Sequence, residues 1–422
     1  MGVHASSEVL GVHLQSGEEI VRVGELVRGA EGISNFRVDE AYISMTDRPI
    51  LSSSLLRPGD DEATTRLLRD STHLRGGRGI PAWFENLLPE GALRSYIEAG
   101  QGRMHDFDML RRLGCDLPGA VVVTDESGRQ GGAESTRGLR FSLAGVQGKL
   151  SMIRTADGFK MLDAGIGGDT VVKLPNAKIP CLPEVEYSSM LLAASVGVDT
   201  AYVELVPLDK LQGIPDELMD HSGAALAIER FDRTLAGDRI HIEDFNQILG
   251  VATDRKYAAA NDETVLKLAG LFGGAEDCFL QACRRAAVNI LVGNTDAHLK
   301  NWSIWYPDPS KGRLSPAYDI VAGAVFDHSD EMALRFRRTR NAAIMDLARF
   351  ERAAAFAGHD PAAVRAEVGY VVENAADTWG PMLRGLPMPE QHAHYLIQRT
   401  QKLALAQDFG RDFIPASLGA FP

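Results

Sequence analysis

Gly293-Asn294-Thr295-Asp296-Ala297-His298-Leu299-Lys300-Asn301, followed shortly by Pro316-Ala317-Tyr318-Asp319, is the stretch that decides how this chain is read. It sets a carboxylate, Asp296, five positions before an amide, Asn301, and then supplies a second isolated carboxylate, Asp319. Phosphoryl transfer from ATP needs this kit. One carboxylate orients the acceptor hydroxyl, while an amide and another carboxylate hold the magnesium ions that bridge the phosphates. The competing reading is an ordinary polar loop after a core helix, because Asp and Asn are common loop residues.

The flanking sequence favours the chemistry. Trp302 to Tyr306 is aromatic and β-favouring and predicts a strand. Pro307 to Gly312 is a dense turn signal, and Arg313 and Leu314 begin a return strand towards Asp319. Such a hairpin folds both metal ligands back onto one site. Upstream, Phe279, Cys283, Ala287 and Ile290 recur at helical spacing and stop at Gly293. Helix, loop, hairpin and acid is a kinase-like order, and the Asp-to-Asn offset equals that of the protein-kinase catalytic loop.

With 422 residues the chain has room for two or three domains with substantial cores. Hydrophobic content of 45% and charged content of 24% are those of an ordinary globular protein. A net charge of −13 argues against nucleic-acid binding by the whole surface, though not by a local patch. Cys115, Cys181, Cys278 and Cys283 show no metal-ligand spacing and read as reduced core thiols. No stretch approaches the ~20 apolar residues of a membrane helix, and no leader pattern opens the chain. A soluble cytoplasmic protein without a membrane partner is expected.

Residues 1–125 mix short strands with helices, and the polar, Gly-rich run from Asp125 to Gly132 is the best linker candidate. Residues 135–235 are expected to form a strand-rich nucleotide-binding lobe and 236–422 a helical catalytic lobe. A kinase reading requires three further parts. Ser142 to Lys149 offers a turn whose glycines, Gly145 and Gly148, let the backbone approach phosphate, although a plain hairpin turn fits as well. Lys173, near the end of the run Thr170 to Pro175, can reach phosphates from a strand, or merely guard an edge. Glu186 lies in the first turns of a helix opened by Pro183, where acids also serve as dipole partners. Ala225 to Arg233 is an apolar strand ending in a charged knot, placed where the backbone of a hinge binds adenine. The correct order of these weak signals makes chance an unattractive explanation for all of them together.

The runs Ser142 to Lys149, Val172 to Pro175, Glu186-Tyr187, Ala227 to Arg233, Asn294 to Ser303 and Tyr318 to Ile320 carry a family resemblance, as do Val23 to Leu26, Phe84 to Pro89 and Gly119 to Val121. The chain resembles the HipA family, serine/threonine-kinase toxins of bacterial type II toxin–antitoxin modules. The resemblance implies an α+β, bilobal protein-kinase-like fold, phosphoinositide-kinase-related, with a small N-terminal α/β domain that contacts the antitoxin. It implies Asp296 as catalytic base, and Asn301 and Asp319 as ligands of Mg2+. ATP would be held by Ala144, Gly145, Val146, Gln147, Gly148 and Lys149 as a phosphate-covering loop. Lys173 would contact the phosphates, the backbone of Glu229, Arg230 and Phe231 would hold adenine, and His298 and Tyr318 would lie beside the nucleotide. Ser142 takes the place of the serine that such kinases autophosphorylate, ejecting the loop and silencing the enzyme. Gly148 departs from the acidic residue of the best-known member, and the segment from Asn176 to Pro183 is shorter than that member's mobile loop. The implied partners are a HipB-like helix-turn-helix antitoxin, operator DNA reached through the antitoxin, and a protein substrate of translation such as glutamyl-tRNA synthetase.

Two other functions stay open: a small-molecule phosphotransferase of related fold, and a mainly non-catalytic antitoxin-binding co-repressor. The one dense basic run, with Arg335, Arg337, Arg338 and Arg340, is a candidate nucleic-acid contact. A solvated or ion-paired face is its plainer reading.

Overall fold

Three separate apolar cores organise the chain, each beneath its own sheet or helix layer. The computed structural model describes residues 8–17, 19–29, 31–70, 76, 79–99, 102–115, 117–127, 149–161, 168–214, 223–234, 236–272 and 276–416. Ser142 and the turn from Ala144 to Gly148 lie outside the described residues.

The N-terminal sheet contains β1 (Glu8–Ser16), β2 (Glu19–Arg28), β3 (Ser34–Val38) and β4 (Val121–Asp125) in the order β3-β2-β1-β4. Its β1 sends Leu10, Val12 and Leu14 onto the core, the period-2 pattern of a half-buried strand. The chain leaves this sheet after β3, builds a small helical layer containing Trp83 and Phe84, and returns as β4 against β1.

The second sheet runs β8-β10-β7-β5-β6-β9 and contains β5 (Lys149–Thr155), β6 (Gly158–Met161), β7 (Thr170–Lys173), β8 (Val203–Pro207), β9 (Leu211–Gln212) and β10 (Ala224–Glu229). A helix, Leu182–Ser195, packs against it and buries Val185, Met190 and Leu192. The remainder is built mainly on the helices Glu276–Val292 and Pro361–Leu383. In the first, Phe279, Cys283, Ala287 and Ile290 all point into the core, and Gly293 at φ 72° ends the helix where a side chain would be strained. The second begins at Asp360, whose carboxylate caps the N–H of Ala362 at 2.9 Å, with Pro361 in the first turn. A three-stranded sheet joins β11 (His241–Asp244), from before the first of these helices, to β12 (Ser303–Asp308) and β13 (Lys311–Leu314), from after it, and the hairpin of β14 (Glu331–Phe336) and β15 (Thr339–Asn341) follows. Among the described residues no helix is long and apolar enough to cross a membrane.

The cysteines correct the expectation of four core thiols. Only Cys283 is buried; Cys115 and Cys181 are exposed and Cys278 is partly covered. Cys181 sits at φ 60° at the turn that starts the helix Leu182–Ser195, so its side chain is carried away from the helical core.

A buried carboxylate locks the N-terminal region to the C-terminal one. Glu243 on β11 is fully buried and accepts from Ser52 Oγ at 2.8 Å, the Ser53 N–H at 2.5 Å, Trp83 Nε1 at 3.2 Å and the Tyr306 hydroxyl. Burial pushes its pKa up, and the hydrogen bonds only partly offset that. Its share of stability is therefore fully present below the unfolded carboxyl value of about 4.3 and is lost as the pH rises through its own higher value. Glu243→Ala strands the Ser53, Trp83 and Tyr306 donors and is expected to cost about 3 kcal/mol. A urea midpoint equal to that of the wild type would show that the knot contributes nothing.

Candidate active site

Two pieces of backbone bring the site together. Asn294, buried at the end of the long helix, donates from Nδ2 to the Asp319 carbonyl at 3.1 Å and accepts from the Asp296 N–H through Oδ1 at 3.3 Å. One amide thus fastens the Asp296 loop to the Asp319 loop. Asp319 has φ 54°, a left-handed conformation that Asp tolerates better than most residues and that costs about 1–3 kcal/mol. The Ala317 backbone exchanges hydrogen bonds with Asp199 and Ala201, at 2.7 and 2.9 Å, tying this loop to the smaller lobe.

Asp319 meets two lysines. Lys173 stands directly across from Lys149 in the register of β7 and β5, so both ammoniums project to one side of the sheet. Lys149 Nζ lies 2.8 Å from Asp319 Oδ2, and Lys173 Nζ donates to Asp319 Oδ1 and to Glu186. Burial opposes ionisation of Asp319, but the two ammoniums outweigh it and hold the carboxyl well below the usual carboxylate range. Burial pushes Glu186 up; the Lys173 ammonium it bonds opposes this, the Asp319 charge adds to it, and Lys149 offsets a little.

In the other loop, Asn301 is buried and donates from Nδ2 to the Asp296 carbonyl at 2.9 Å. This leaves the amide oxygen as the atom free to face a cation. An amide oxygen and a carboxylate are the hard donors Mg2+ prefers, and such a cation needs only one or two protein ligands when phosphates and water complete its shell. The residues present therefore fit the metal. The Asp296 side chain is exposed and accepts from the Tyr257 hydroxyl at 2.7 Å.

Lys149, Lys173, Glu229, Arg230, Phe231, Tyr318 and Asp319 line one cleft of about 470 Å³, within the range of small-molecule sites. Tyr318 donates to the Lys300 carbonyl at 2.9 Å and lies 5.7 Å from the Phe231 ring. Two expectations need correcting. The N–H groups of Glu229 and Arg230 are already bonded to the carbonyls of Tyr202 and Asp169, each at 2.9 Å. An adenine contact at this crossing must then use its other backbone groups. Asp296, Asn301 and His298 do not line this cleft, and the His298 ring is buried against Tyr257, with centroids 5.0 Å apart. Burial pulls its pKa down to about 4, so it is neutral at ordinary pH and suited to packing rather than to holding phosphate. Arg335, Arg337 and Arg338 lie exposed on the β14–β15 hairpin. Arg340 turns inward, bonding the Tyr257 carbonyl at 2.8 Å.

Sequence reasoning missed Arg285 and the N-terminal wall of the cleft. Arg285 is buried, donates to the Asn301 carbonyl and stacks 4.4 Å from the Trp302 ring centre, bracing the loop from behind. A charged residue on an otherwise apolar helical face was the available signal. Asn86 to Pro89, Leu117 and Pro118 form one side of the cleft. Glu90 binds Lys300 at 2.8 Å and Lys256 at 3.0 Å, while buried Asp232 accepts the Gly119 N–H at 2.9 Å.

A sheet-bearing lobe and a helical lobe that share this cleft, with a strand lysine paired to a helical glutamate, define a kinase-like fold. The chain belongs to the HipA family: residues 13–124 match the HipA N-terminal domain and residues 141–379 the HipA-like C-terminal domain. It is 35% identical over 403 residues to the Sinorhizobium fredii protein Y4dM, covering 92% of this chain and 96% of that one. It is 26% identical over 296 residues to the serine/threonine-protein kinase toxin HipA of Shewanella oneidensis, covering 60% of this chain and 65% of that one. Its fold matches a Shewanella oneidensis HipA solved with HipB and operator DNA, with a TM-score of 0.72 and 21% identity over 95% of this chain and 99% of that one. At the family level, this chain is a HipA-type kinase.

Proposed function

We propose that this protein is a Mg2+-dependent serine/threonine protein kinase and the toxin half of a type II toxin–antitoxin pair. The observation that carries the reading is Asp319 held between Lys149 and Lys173, with the Asp296 and Asn301 loop fastened to it by Asn294. The lysines stand in for positive charge that a nucleotide-bound cation supplies, and move to the phosphates when ATP enters. The bound Mg2+ neutralises charge on the phosphates. Asp296 accepts the proton of the acceptor hydroxyl as its oxygen bonds to the γ-phosphorus; the bond from phosphorus to the bridging oxygen breaks, and ADP leaves with that electron pair. Asn301 and Asp319 would hold the cation, and the lysines would steady the transferred group.

The Shewanella complex supports a HipB-like antitoxin and operator DNA as partners. Exposed Arg335, Arg337 and Arg338 are the part of the basic run still available to nucleic acid, whereas Arg340 is spent on Tyr257. The acceptor is assigned to the translation machinery, with an aminoacyl-tRNA synthetase such as glutamyl-tRNA synthetase as the leading candidate, and Ser142 as the self-silencing site. Phosphoproteomes of cells expressing wild type or Asp296→Asn test this. The expected difference is one phosphoserine in a translation protein, together with phospho-Ser142. Identical phosphoproteomes would leave the small-molecule phosphotransferase or the non-catalytic co-repressor as the better reading.

A further inference from the structure

Asp296 stands exposed on its loop, and among the described residues the Tyr257 hydroxyl is the one side chain that bonds its carboxylate, through Oδ1. A carboxylate on such a loop samples several rotamers unless something fixes it, and reaction rates are sensitive to misplacement of about 1 Å. Tyr257 is itself restrained on several sides. Its ring meets His298 edge-on, and the Lys256 ammonium lies 5.5 Å from its centre. Lys256 is anchored to Glu90, and its carbonyl accepts the Leu299 N–H at 3.4 Å. Arg340 holds the Tyr257 carbonyl, and Asn261 bridges to Arg335 through the backbone, so the segment is tied to the β14–β15 hairpin at two points. Burial, and then the contact with Asp296, push the phenol pKa up, keeping it a protonated donor.

We propose that Tyr257 is a positioning residue for phosphoryl transfer: its hydroxyl fixes the Asp296 carboxylate so that Oδ2 meets the acceptor hydroxyl, and Arg340 fixes Tyr257. The proposal rests on Asp296 being the base. It gives the basic run a role inside the catalytic apparatus through one of its arginines. Tyr257→Phe removes the hydroxyl and keeps the ring, so the His298 and Lys256 contacts survive.

The test measures first-order transfer of label from γ-labelled ATP to the full chain itself and to water, for wild type, Tyr257→Phe, Arg340→Ala and Asp296→Asn. Melting temperatures are recorded alongside. Tyr257→Phe is expected to lower the rate at saturating ATP about tenfold, with the half-saturating ATP concentration unchanged within about twofold. Arg340→Ala, which leaves the hydroxyl in place but unbraced, should lose about threefold. A wild-type or faster rate for Tyr257→Phe, with Asp296→Asn inactive, overturns the positioning role and leaves the kinase reading intact. A change confined to half-saturating ATP or to melting temperature also overturns it, because the residue then serves nucleotide binding or folding. Wild type that transfers no more label than Asp296→Asn overturns both.

Discussion

Asp296→Asn is expected to lower phosphoryl transfer by about 10²–10⁴-fold, the usual contribution of a positioned general base. The amide is nearly the same shape as the carboxylate but cannot take the acceptor's proton. The loop should survive, because what holds it is mostly not the Asp296 carboxylate. Asn294 bonds its N–H, Asn301 and His298 bond its carbonyl, and Arg285 braces Asn301 from behind. The melting temperature should therefore stay within about 2 °C of wild type, as for most exposed substitutions. Single-turnover transfer with labelled ATP and a thermal melt are the two measurements. Loss of activity accompanied by a collapsed melt would mean that Asp296 holds the loop rather than doing the chemistry.

Lys173→Met should have the largest effect on stability as well as abolishing transfer. Its side chain is 4% exposed and that of Glu186 is 3%, so removing the ammonium leaves a buried carboxylate without its counter-charge. Breaking a buried pair in this way costs about 3–5 kcal/mol. The pH dependence follows from the two carboxyls. Asp319 is depressed, so its stabilisation is present above the unfolded carboxyl value of about 3.9 and is lost only as the pH falls through its lower folded value. Glu186 is raised, so its contribution is fully present below about 4.3 and is lost as the pH rises through its folded value. In Lys173→Met the deficit should therefore be larger at pH 8 than at pH 5. The double variant Lys173→Met/Glu186→Leu should recover much of the stability and none of the activity. Urea midpoints at the two pH values decide the matter, and a single variant as stable as wild type at pH 8 would mean that the pair contributes no net stability.

The parts of the site that were legible in sequence are those carried on continuous elements. The helix ending at Gly293, the hairpin of β12 and β13, and the strand bearing Lys173 all follow from local spacing and turn chemistry. The parts that were not legible depend on long-range pairing. Asn294 read as one more polar loop residue, yet its amide joins two loops that lie 25 residues apart. Tyr257 read as nothing in particular, because a lone Tyr between Lys256 and Ala258 carries no periodicity. His298 was expected beside the nucleotide, but its ring is buried edge-on against Tyr257.

The sequence by itself determined the family, the kinase-like order of the parts and the identity of the acids and lysines, because these rest on residue type and spacing. Only the tertiary structure decided which groups touch. It placed Lys149 and Lys173 on one carboxylate, brought the N-terminal domain in as a wall of the cleft, and set Arg340 on the Tyr257 carbonyl. The physical reason is that a hydrogen bond or an ion pair is fixed by distance and direction in space, and residues such as Glu90 and Lys300, or Tyr257 and Asp296, become neighbours only once the chain has folded.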